Sequence, residues 1–258
     1  QALHSEVRLD TSLFLDKETM TTSVNKTDID NAIAALKKEG EDRVVMVANT
    51  VCIFAAEVPG GLAEDVLASM RLITQAANTK FDKETQQREW YNFYNDGLGK
   101  LGWTLTGAAH TEEAVDRNAS HTPASLTSHI VTLQLGRSHR LTRCVNRAFK
   151  VIVESPKAQK LLDESSLSVS GKSSTIQVST CEMTPQGLPI MHMTSVQLSY
   201  NKAEKTEGSA GRRLDLANTQ VYRASQQGSF SVRQFDALRD SVNDKLRSQA
   251  DDLFALLV

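Results

Sequence analysis

The chain is poor in cysteine. Three residues, Cys52, Cys144 and Cys181, are an odd number at wide spacing. That excludes a disulfide framework and favours reduced thiols. Charge of one sign is also lacking. Lysine and arginine number 29 against 31 acids, a net charge of -2, so no bulk attraction to nucleic acid is expected. Long hydrophobic runs are absent. The longest candidate, Val44 to Val58, is interrupted by Asn49, Thr50 and Glu57, and falls short of the roughly 20 apolar residues of a membrane span. The opening stretch, Gln1 to Asp10, lacks the basic-then-apolar order of a signal peptide. The expectation is a soluble chain, exported without a recognisable leader and peripherally associated with membranes.

Catalytic signatures are equally sparse. There is no G-x-S-x-G elbow. Ser170-Gly171-Lys172-Ser173 resembles the end of a phosphate loop, but Ser166 stands where the first glycine belongs, and the segment leads into a strand. Of the six histidines, His110, His121, His129 and His139 are spaced by about ten residues, not by the three or four that align two ligands on a helix. No metal site and no cofactor are expected from them.

What is present suffices for a core. A chain of 258 residues is one large domain or two small ones. Helices are predicted from Thr27 or Asp28 to Gly40, from Leu62 to Ala77, and from Phe81 to Gly102. The last carries Trp90, Phe93, Tyr94, Leu98 and Leu101 at helical spacing. Both tryptophans lie in or next to it, which marks a core centre there. Arg43 to Ala55 reads as a strand or a buried mixed segment, and Trp103 to Gly107 as a strand. Pro123 argues against a helix in the polar stretch from His110 to Ser128. A short apolar helix or strand fits Leu126 to Leu135. Leu141 to Leu162 is helical with a kink before Pro156. Asn201 to Arg213 is expected to be a mobile insertion, and Arg213 to Tyr222 a strand. A long amphipathic helix, capped by Ser231, runs through Leu257. Helices, then strands, then a helix predict a single α+β domain over 1–258. It is a layered domain with a mixed or antiparallel sheet packed by amphipathic helices. A division into halves 1–125 and 126–258 is the alternative.

The most informative stretch is Ser174 to Tyr200, two alternating strands around Thr184-Pro185-Gln186-Gly187. Ile176, Val178 and Thr180 point to one side; Ser179, Cys181 and Met183 point to the other. On the return strand Met191 and Met193 oppose Ile190, Val196, Leu198 and Tyr200. In the matching register Cys181 sits among Met183, Met191 and Met193, adaptable side chains suited to lining an acyl chain. His192 falls on the other face. Three readings of Cys181 stand: an acylated thiol, a nucleophile, or a small core residue.

The segment Arg137 to Lys160 is distinctly basic. Arg140, Arg143, Arg147 and Lys150 form one helical stripe suited to anionic lipid headgroups. A solvated helix face is the plainer alternative. Few aromatic residues are interleaved, so nucleic acid is not the expected partner.

Three sets of residues also carry a family resemblance. They are Trp90, Tyr91, Tyr94, Leu98, Leu101, Gly102 and Trp103; then Cys181 and Gly187; then Phe235, Leu238, Arg239, Val242, Lys245 and Leu246. With these the chain resembles a family of microbial proteins without assigned activity, and is similar to the Erwinia virulence factor type, which is associated with persistence in the insect gut. The resemblance covers roughly residues 62 to 108 and 174 to 258. It implies a compact α+β fold, a palmitate held covalently on a central cysteine, and association with anionic membranes. By motif that cysteine is Cys181. The N-terminal sixty residues match poorly, and the loop Asn201 to Arg213 has no counterpart. The function expected is a lipid- or membrane-interacting, toxin-like virulence protein that is not an enzyme. A cysteine-dependent acyltransferase or thioesterase is one alternative; a non-catalytic binding module with a structural cysteine is the other.

Overall fold

A computed structural model describes residues 26–82, 84–107, 111–136, 139–203, 209–247 and 253–256. His110, Arg137 and residues 204–208 of the expected insertion lie outside them. The helices are α1 (Lys26–Leu36), α2 (Gly60–Lys80), α3 (Gln87–Lys100), α4 (Pro123–Leu135), α5 (Thr142–Glu154), α6 (Pro156–Ser166), α7 (Val232–Asp236) and α8 (Arg239–Arg247). The strands are β1 (Arg43–Val47), β2 (Thr50–Phe54), β3 (Trp103–Leu105), β4 (Thr111–Glu112), β5 (Ser173–Met183), β6 (Pro189–Tyr200), β7 (Thr219–Phe230) and β8 (Leu253–Leu256).

Among the described residues the eight strands join one open sheet, ordered β3-β7-β6-β5-β2-β1-β8, with β4 beside β7. Every pairing is antiparallel except β2 with β5. A parallel pair needs a long crossover, and α2 to α6 lie in that connection. Helices cover both faces. Tyr91 and Tyr94 of α3 lie over Gln177, Ser179 and Met193 on one face. Leu126 and Ile130 of α4 pack with Val196, Leu198 and Val221 on the other. The result is the expected layered α+β domain with a mixed sheet. Among the described residues no helix is long and apolar enough to cross a membrane.

The predicted core centre is buried. Trp90, Tyr94, Leu98, Leu101 and Trp103 are each at most 4% exposed. Trp90 stacks on Tyr94 with ring centroids 5.0 Å apart. Both indoles keep a hydrogen bond, Trp90 Nε1 to Asn78 Oδ1 and Trp103 Nε1 to Ser69 Oγ, each 2.9 Å. Gly97 lets α2 and α3 close up, because a Cβ there would lie 2.9 Å from Ile73 Cδ1.

Several boundaries differ from the sequence reading, for local reasons. Pro123 starts a helix instead of preventing one. At the first helical position its missing N–H costs nothing, and Thr122 and Ser125 form a reciprocal capping box in front of it. Asp82 forms a turn, accepting from the Glu84 and Thr85 amides, and α3 begins only at Gln87. The segment around Pro156 is two helices, with Ser155 ending α5 and capping α6. The third strand of the hairpin sheet runs over Thr219–Phe230, later and longer than Arg213 to Tyr222. The long terminal helix is also corrected. Ser231 caps as expected, through Gln234 N, but α8 ends at Arg247, and Leu253–Leu256 pairs with β1. The β-capable run there satisfies the backbone groups of a buried strand that would otherwise be a sheet edge.

Candidate functional site

The β5–β6 register has no bulge and pairs Cys181 with Met191, Ser179 with Met193 and Met183 with Pro189. The neighbouring ladders extend each pair into a row across the sheet. Arg43, Phe54, Cys181, Met191, Gly228 and Leu105 form one row. The next contains Val45, Cys52, Ser179, Met193 and Gln226. Cys181 and Met191 are 1% exposed, Met193 is 5% exposed, and Met183 at the hairpin end is half-buried. Cys181, Met183, Met191 and Met193 therefore share one sheet face. One row from Cys181 lies a shallow cleft with a cavity volume of about 10 Å³, room for a single water molecule, and Cys181, Met183 and Met191 do not line it. Its lining includes Met193 but also Ser179, Gln177, Ser195, Gln226 and the tyrosines of α3. The face thus grades from apolar at the Cys181 row to polar two rows away.

The electrostatics of Cys181 are those of a sequestered thiol. Burial pushes its pKa up to about 12; the nearby Glu182 and Glu57 charges add to this, and Arg43 opposes it. Nucleophilic cysteines need the opposite, a base or a net positive field. His192 pairs with Thr180, so it occupies the other sheet face, and no Cys181–His192 dyad is assembled. Arg43 is 4% exposed and donates to three carbonyls, Leu36 O at 2.7 Å, Ala55 O at 2.8 Å and Val58 O at 2.6 Å. It ties the end of α1 to the loop after β2.

The basic stripe divides. Arg143, Arg147 and Lys150 are exposed on α5, and among the described residues none of them forms an ion pair. Arg140 lies before α5, not on it. It donates through Nε to Glu182 Oε1 at 3.2 Å and through Nη2 to Glu57.

Arg140 belongs to a cluster that sequence spacing missed. His139 Nε2 donates to Glu182 Oε2 at 3.1 Å, while His139 Nδ1 accepts from the Leu141 amide at 3.1 Å. The accepting Nδ1 fixes the neutral tautomer with its proton on Nε2. The His192 ring stands edge-on to His139, centroids 6.5 Å apart. Burial lowers the His192 pKa; Glu182 opposes this and His139 adds to it. Glu57 also accepts from Met183 N. Burial works to raise the Glu57 pKa, but the bonds from Arg140 and backbone amides outweigh it, and the carboxyl lies below its usual range. These partners are 42 to 126 residues apart, so no local motif marks them. Among the described residues no three of His, Cys, Asp and Glu converge so as to hold a metal ion.

No known protein family matches the chain, and no curated protein matches it. Among solved structures it is similar to a delta-endotoxin, with 9% identity and a TM-score of 0.40 over 65% of this chain and 76% of that one. It is also similar to the Evf virulence factor, with 11% identity and a TM-score of 0.36 over 87% of this chain and 90% of that one. At those values neither likeness bears on what the chain does.

Proposed function

We propose that the protein is a non-enzymatic, lipid-interacting protein of virulence type that carries a fatty acyl chain as a thioester on Cys181. The observation that carries this reading is the shared face of Cys181, Met183, Met191 and Met193, with Phe54 beside the sulfur's strand position. Transfer from an acyl-thioester donor forms the bond from Sγ to the acyl carbon and breaks the donor's C–S bond. The thiol proton passes to the departing donor thiolate. A thiol 1% exposed with its pKa near 12 is a poor acceptor once folded, so acylation precedes closure of the sheet over it. The same two properties weigh against a cysteine-dependent acyltransferase or thioesterase. The virulence part rests on the motif resemblance of the Trp90 helix, Cys181 and the Arg239 helix.

Arg143, Arg147 and Lys150 supply the second signal. One acyl chain binds a membrane only marginally, and a basic patch makes such an anchor stable. Vesicle flotation tests this part. The acylated protein floats with vesicles containing phosphatidylserine and not with phosphatidylcholine alone. Equal failure on both overturns the membrane reading.

A further inference from the structure

The His139 cluster lies on the sheet face opposite the Cys181 sulfur and is independent of acylation. It joins three segments that the chain brings together only in the fold. His139 and Arg140 come from the connection before α5, Glu182 and His192 from the β5–β6 hairpin, and Glu57 from the loop after β2. Two of its bonds fix backbone at those places, the Leu141 amide on His139 Nδ1 and the Met183 amide on Glu57. We infer that this cluster is an acid-released latch, holding the start of α5 against the hairpin end that bears Cys181.

Charge and lone pairs set the response of the cluster to acid. The groups facing one another are Arg140, Glu57, Glu182 and the two imidazoles. With neutral imidazoles the cluster carries one net negative charge, which Arg140 bridges. With both imidazoles protonated, and the carboxylates still ionised, it carries one net positive charge. Protonated His139 keeps its bond to Glu182 but loses the Nδ1 lone pair. The Leu141 amide at the start of α5 then faces an N–H. Burial and His139 oppose the charging of His192, and once charged it adds a second cation 6.5 Å from the first, ring to ring. Imidazole is the side chain whose charge changes between pH 7 and pH 5, and pairs of them are a recurring basis for acid switching. His139 and Glu182 are only about one-fifth exposed, so the charge change is incompletely screened.

Amide hydrogen exchange on the full chain, at pH 7 and pH 5 and corrected for intrinsic rates, tests the latch. Protection of the Leu141 and Met183 amides falls by roughly tenfold or more at pH 5, while that of Val221 in β7 does not change. The double variant His139→Gln, His192→Gln keeps the donor to Glu182 without titrating, and its two amides respond less to acid. Glu182→Gln removes the carboxylate and brings both amides at pH 7 close to the acid values of the parent. Equal protection of the parent at both pH values overturns the latch. So does loss of protection throughout the sheet, or an undiminished acid response in the double variant.

Discussion

Cys181 and Met191 stand directly opposite each other on β5 and β6, and each is 1% exposed. That pairing makes the thiol part of the core before it is anything else, and its chemistry follows from its burial. Protein made without acylation is therefore resistant to alkylation while native. At pH 8 a thiol with pKa near 12 is thiolate in roughly one molecule in ten thousand, even before access is considered. Iodoacetamide mapped by peptide mass leaves Cys181 unmodified in buffer and modifies it in urea. Rapid labelling of the native thiol contradicts the burial described.

The same burial gives a pH dependence with a definite sign. A thiol is charged when deprotonated, and folding raises the Cys181 pKa from 9.0 to about 12. The unfolded chain therefore loses its proton first. The stabilisation is complete below pH 9 and is lost as the pH climbs from 9 towards 12, by up to about 4 kcal/mol at the limit. Cys144, raised to about 11 by burial, contributes in the same direction. Urea denaturation between pH 8 and pH 10.5 shows this fall, and Cys181→Ala makes the slope shallower.

Arg43 anchors the end of the sheet row that Cys181 occupies. Replacing it with methionine keeps much of the aliphatic bulk but removes the guanidinium donor from the Leu36 and Val58 carbonyls and leaves Ala55 O with the Val58 amide. The cost is about 2–4 kcal/mol, read as a lower urea midpoint at unchanged slope. A change below about 0.5 kcal/mol means those carbonyls find other partners.

Arg239 at the start of α8 joins that helix to α2. Arg239 meets Asp65 of α2 in a two-pronged bond, Nε to Oδ1 and Nη2 to Oδ2, both 2.8 Å. The Asp65 side chain is 11% exposed, so removing Arg239 leaves a largely buried carboxylate. Arg239→Ala costs about 2–3 kcal/mol, and a double-mutant cycle with Asp65→Ala returns a coupling of about 1–3 kcal/mol. Arg239→Lys recovers only part, because one ammonium cannot reproduce the planar fork.

Reversing Arg143, Arg147 and Lys150 to glutamate separates binding from folding. The three side chains are exposed on α5, so stability in urea changes little. Affinity for anionic vesicles falls on the order of 100-fold or more, at about 1 kcal/mol per cation. Unchanged flotation places the membrane contact elsewhere.

The hairpin was legible in the sequence because a two-residue period without a bulge assigns every side chain to a face; Cys181, the methionines and His192 lie where alternation puts them. The Trp90 helix was legible for the same reason at a helical period. Pro123 misled because a proline's meaning depends on its place in a helix, and only the Thr122–Ser125 box reveals that place. The terminal strand was hidden by apolar residues compatible with either period; the need of β1 for a partner decided it. The His139–Glu182–Arg140–Glu57 cluster was not legible at all. It is made by strand pairing and helix docking, and its residues carry no mutual spacing.

The most direct test of the central claim is the intact mass of the protein purified from the organism that makes it. The expected result is an added fatty acyl mass that is lost in neutral hydroxylamine and absent from Cys181→Ser. An unmodified polypeptide mass, or an adduct that survives the serine substitution, contradicts it.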